Sequence, residues 1–246
     1  PAAAASPASA VATASATPPS APLPQSVHAL PGSGHMRFAV TKGEGGFIIG
    51  SAVHDWTVAD GRYELRSRIE TVGLVALFVD VKLGQVSRGH IDAEGLHPDT
   101  FQDNRKDGQY RSSFDWADRR LTLSNGTVLS LGPEARDAQD LLSMFYQLGL
   151  YPLAAGQELA LMVTTGRKFE RYAFRVEGEE DLMLNPRTDE RLTPTWHLVY
   201  RGRDSEAVDV WLARDLARLP VKIRYTDRKG GITEMTAENV DYAGKP

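Results

Sequence analysis

Residues 133–149 read PEARDAQDLLSMFYQLG. Ala138, Leu141, Leu142, Phe145 and Leu148 recur at helical spacing, so the stretch predicts one amphipathic helix, with Gly149 as the C′ residue that ends it. Gln139 and Asp140 stand at its expected start, where an acidic group suits the helix dipole. If this helix plugs the mouth of a curved sheet, both side chains face the entrance of the space beneath it.

Working outward, the rest of the chain reads as strands. Upstream, Tyr63, Leu65, Ser67 and Ile69 alternate with Arg62, Glu64, Arg66, Arg68 and Glu70, the pattern of an antiparallel strand with one face in solvent. Asp60-Gly61 and Asn125-Gly126 are tight hairpin signals. Alternation over 36–40 predicts a first strand, and its blurring over 47–58 predicts a long strand with a bulge or with both faces buried. The run 72–79, VGLVALFV, is the most apolar and too short to span a bilayer. From Leu96-His97-Pro98 to Gly108 an irregular polar loop is expected. Downstream, 158–240 reads as a meander, with Pro220 confined to a strand start or an edge. The expected fold is mostly β: a curved antiparallel sheet or barrel of roughly ten or more strands with one main amphipathic helix.

Residues 1–34 are almost wholly Ala, Pro, Ser and Thr with no Lys, Arg, Asp or Glu, a composition that cannot bury enough apolar surface to offset its ordering entropy. The expected organisation is a linker over 1–34 and a single β-rich domain over 35–246. Such a linker suits a spacer to a membrane anchor upstream of this chain, the only link to a membrane that is expected.

A net charge of −4 argues against a nucleic-acid binder, and the absence of cysteine excludes disulfides and thiolate chemistry. No catalytic spacing stands out: there is no HExxH and no GxSxG. His90 and Asp92 lack a third metal ligand, so no metal and no cofactor is expected. Trp56, Trp116, Trp196 and Trp211 suit either core packing or an aromatic-lined cavity. The candidate ligand-binding set is Trp56, Leu74, Phe78, Trp116, Gln139, Asp140, Phe145 and Trp211.

Several short motifs occur in a distinctive order: Gly73-Leu74, Ser87-x-Gly89, Gly95-Leu96-x-Pro98, Phe114-Asp115-Trp116, Gln139-Asp140, and Trp211-Leu212-Ala213-x-Asp215 with Leu219-Pro220-Val221. Together they resemble the DUF3108 family of bacterial exported proteins over about 36–240. The resemblance implies a β-rich periplasmic domain, in some members tethered to the inner membrane, and it supplies no catalytic residues. It also implies an architecture loosely like periplasmic lipoprotein carriers. The expected function is non-enzymatic binding of a lipid or other apolar molecule between sheet and helix. The alternatives are a tethered envelope scaffold with a filled core, whose partner is an envelope protein, and a hydrolase using paired carboxylates.

Overall fold

The alternation read at 62–70 recurs along most of the chain in the computed structural model, which describes residues 25–44, 46–71, 82–185 and 189–245. Eight strands precede the helical region: β1 (Ser33–Lys42), β2 (Phe47–Ala59), β3 (Arg62–Thr71), β4 (Lys82–Asp92), β5 (Gly95–Arg105), β6 (Gly108–Asp115), β7 (Arg120–Thr122) and β8 (Val128–Ser130). A short 3-10 turn (Pro133–Ala135), β9 (Gln139–Asp140) and helix α1 (Ser143–Leu150) follow. The chain then makes β10 (Glu158–Thr164), β11 (Phe169–Asn185), β12 (Asp189–Arg201), β13 (Ala207–Ala213), β14 (Pro220–Thr226) and β15 (Ile232–Tyr242).

All fifteen strands form one sheet, ordered from β8 back to β1, then from β15 back to β9. Neighbours pair antiparallel, except that β9 runs parallel to β10. The two halves of the chain are thus two meanders joined where β1 meets β15. The sheet is not a closed barrel: it curls until β9 lies against β5, where the Gln139 amide donates to the Leu96 carbonyl at 2.6 Å. Its margins also meet where the Ser124 N–H donates to the Gly166 carbonyl at 3.0 Å, beside a small cluster of Phe114, Leu121, Leu123 and Leu131.

Helix α1 lies in the hollow of this curl. Every residue from Ser143 to Leu150 is buried, as expected for a helix apolar on nearly all sides. Burial of Phe145 or Leu148 alone contributes roughly 2 kcal/mol. The predicted helix over 133–149 is therefore shorter than expected, starts ten residues later, and is buried all round rather than amphipathic. Its first half is instead the 3-10 turn and β9, because Gln139 and Asp140 are pulled into the sheet by pairing with Val163 and Thr164. Gly149 is inside α1, not after it. A Cβ there would lie 2.4 Å from the Arg218 carbonyl oxygen, so the glycine serves the close approach of α1 to the chain before β14.

The predicted loop after Leu96 is also corrected: it is β5, a strand of eleven residues. Its inward side chains include Asp103, which breaks the apolar pattern, and Pro98 lies opposite Gly89, where the register shifts and a missing donor costs little. The bulge expected in β2 is present, opposite Val40 and Thr41, and Pro220 does open a strand. Of the linker expected over 1–34, residues 1–24 lie outside the described residues. Residues 25–32 run along the domain: Val27 and His28 N–H groups donate to the Leu150 carbonyl and cap α1, and Leu30 joins the core. The apolar run 72–79 also lies outside the described residues.

Candidate ligand cavity

The curl of the sheet leaves space that α1 does not fill. Between α1 and the inner faces of β2–β5, β14 and β15 lies a cavity of about 760 Å³. Its walls are mainly Ile69, Leu141, Leu142, Phe145, Ile223 and Met235. Inward alternation explains each strand residue: Ile69 follows Leu65 and Ser67 along one face of β3, and Ile223 follows Val221 along β14. His54, Ser67, Gln85 and Tyr225 add isolated polar groups, and Asp103, Arg105, Lys106 and Asp107 form part of the rim. Ligand pockets of roughly 300–1,000 Å³ with apolar walls and few polar groups suit a single small or acyl-chain ligand.

Two buried polar networks hold the helix above this space. In the first, the Asp140 carboxylate accepts N–H bonds from Leu142 (2.9 Å) and Ser143 (2.8 Å), while the Asp140 N–H donates to the Ser143 hydroxyl (3.0 Å). The reciprocal bonds follow the capping-box pattern in the turn that leads into α1, whose own N-cap residue, Leu142, makes no side-chain cap bond. The other carboxylate oxygen accepts from the Ser87 hydroxyl at 2.5 Å, and Ser87 in turn lies 3.0 Å from the Tyr63 hydroxyl. Burial raises the Asp140 carboxyl to about 6, against the lowering effect of these hydrogen bonds.

In the second, His54 Nδ1 and the Tyr146 hydroxyl share a hydrogen bond of 3.0 Å across the sheet–helix junction. Burial lowers His54 to about 4, with Asp55 opposing, so the ring is neutral at ordinary pH. Farther along α1, Gln147 accepts from the Leu96 N–H (2.7 Å) and donates to the Glu94 carbonyl (3.1 Å).

Of the residues singled out in the sequence, Phe145 lines the cavity. Trp56 packs in the core against Tyr146, with its indole N–H donated to the Pro31 carbonyl at 2.9 Å. Trp116 stacks on Phe114 and donates to the Pro98 carbonyl. Trp211 is on the convex side, stacked on His197 at 4.4 Å and donating to Glu180. Gln139 and Asp140 are buried in the anchoring of α1 rather than at an entrance. Leu74 and Phe78 lie outside the described residues. Sequence reasoning did not single out His54, Tyr225 or Met235. The alternation of β14 carried the signal for Tyr225, but a lone His and a lone Met do not announce themselves. Among the described residues no group of three His, Asp or Glu side chains is placed to hold a metal ion.

No curated protein matches the chain. Among solved structures, a Vibrio parahaemolyticus domain assigned by its name to outer membrane lipoprotein sorting aligns over 87% of each chain, with 11% identity and a TM-score of 0.28. The model of the family described as "Protein of unknown function (DUF3108)" matches residues 36–238, which span the sheet, the helix and the cavity, and the chain belongs to that family.

Proposed function

We propose that this is a non-enzymatic envelope domain of the periplasm that binds a lipid or other apolar molecule in the space between α1 and the sheet. The observation that carries the reading is the cavity of about 760 Å³ beneath α1, walled by Ile69, Leu141, Leu142, Phe145, Ile223 and Met235. A scaffold with a filled core has no need of such a space, since empty apolar volume in an interior is destabilising. The carboxylates that reach the cavity, Asp103 and Asp107, are each engaged elsewhere. Asp103 holds Arg105 at 2.5 Å, and Asp107 accepts from the Tyr110 hydroxyl at 3.0 Å. That arrangement supports binding over acid–base hydrolysis. The periplasmic setting rests on the exported character that the family resemblance implies.

Titration with the fluorescent fatty acid cis-parinaric acid tests the proposal. Saturable one-to-one binding, displaced by a non-fluorescent fatty acid and weakened in Ser67→Phe, supports it. The larger side chain projects from β3 into the cavity. Absence of saturable binding, or equal binding by a folded Ser67→Phe protein, overturns it.

A further inference from the structure

The cavity-lining residues of β3, β4, β5, β14 and β15 all lie toward the same end of the sheet, so the strands share an open end and a back end. The two ends differ in charge. At the open end, among the described residues, the turn regions 42–44, 46, 105–108, 124–126, 165–168, 201–206 and 227–231 carry nine Lys or Arg and five Asp or Glu. At the back end, the described turn regions 60–61, 92–94, 115–120, 133–138 and 214–219 carry five Lys or Arg and eight Asp or Glu. An acidic chain of net charge −4 thus presents a basic face around the cavity mouth. Five of the nine cations are ion-paired, Arg105 with Asp103, Arg167 with Asp107, Lys168 with Glu170, Arg201 with Asp209 and Arg228 with Glu206, so the excess is carried by Lys42, Lys106, Arg203 and Lys229 at the turn tips, beside Glu44, Asp204 and Asp227.

The same rim exposes apolar side chains. Phe47 and Ile48, at the β1–β2 turn, are 77% and 51% exposed, and Tyr225 at the end of β14 is 37% exposed. Phe47 pairs with Lys42, two residues beyond the buried Val40, which sets it on the concave side of the sheet at the mouth. Large apolar side chains in water are tolerated singly; grouped at one rim among cations they mark a surface made for a partner. A basic ring with apolar tips matches an anionic bilayer, where cations meet headgroups and Phe or Ile side chains enter the acyl boundary. An acidic protein would satisfy the charges but gives no reason for the apolar tips.

We propose that the open end of the sheet docks on an anionic lipid surface, with Phe47 and Ile48 inserting and Lys106, Arg228 and Lys229 contacting headgroups. This goes beyond the ligand reading and does not depend on it, since docking is measured without any ligand. The full chain is sedimented with phosphatidylcholine vesicles prepared with and without phosphatidylglycerol. Docking predicts binding to the anionic vesicles only, weakening as salt rises. It predicts a loss of at least about tenfold in Lys106→Glu/Arg228→Glu/Lys229→Glu, whose side chains lie at the surface. Phe47→Ser/Ile48→Ser weakens binding without changing net charge, which separates insertion from mere attraction. No binding to anionic vesicles, equal binding to neutral ones, or indifference to both sets of substitutions overturns the proposal. So does capture of an acidic protein by an end that ignores vesicles.

Discussion

The Ser87 hydroxyl donates to the Asp140 carboxylate at 2.5 Å, out of reach of water, and so ties β4 to the first turn of α1. The same carboxylate caps the helix through Leu142 and Ser143. Removing it leaves two helix N–H groups and a serine without their acceptor. Asp140→Ala is expected to cost roughly 2–4 kcal/mol in urea unfolding at pH 7. Asp140→Asn keeps an acceptor and removes a buried charge, so it stays within about 1 kcal/mol of the parent.

The pH dependence of that pair has a definite sign. The folded Asp140 carboxyl, raised by burial to about 6, binds a proton more readily than in the unfolded chain. Its contribution to stability is therefore full below the ordinary carboxylate range and is lost as pH rises through 6, by roughly 3 kcal/mol. Urea midpoints measured from pH 4 to 7 should show the parent losing stability relative to Asp140→Asn across that window.

His54 acts in the opposite direction. Its folded value, lowered to about 4 by burial, means that its contribution is full above pH 6.5 and is lost as pH falls through 4, again by roughly 3 kcal/mol. His54→Gln should therefore gain on the parent as pH drops from 7 to 4. Without this substitution the two groups partly cancel, and the parent's profile is flatter than either group alone would make it.

Gly149 tests the packing of α1 rather than its electrostatics. In an exposed helix, Gly→Ala is stabilising by about 1 kcal/mol. Here the new methyl would meet the Arg218 carbonyl oxygen at 2.4 Å, a backbone atom that cannot rotate away. Gly149→Ala is expected to destabilise by roughly 2–3 kcal/mol, measurable as a lowered thermal midpoint.

Much of this architecture was legible in the sequence, and the reason is local. Strands such as β3 bury one face, so each side chain records its side of the sheet, and turns such as Asp60-Gly61 need the positive φ that both residues adopt. What could not be read depends on distant partners. Gln139 and Asp140 continue a helical pattern, yet they pair with Val163 and Thr164 of β10, more than twenty residues downstream. Gly149 looks like a helix end because nothing nearby signals Arg218. The cavity wall is similar: Phe145 could be named as a candidate, but Ile69 reads only as a strand residue, and the space between them is set by how far the sheet curls.

Native mass spectrometry of the protein taken gently from cells tests the central claim most directly. The account predicts a one-to-one complex with an organic-extractable molecule, lost in Ser67→Phe while the protein remains folded. A parent protein that carries nothing and takes up no added fatty acid would contradict it.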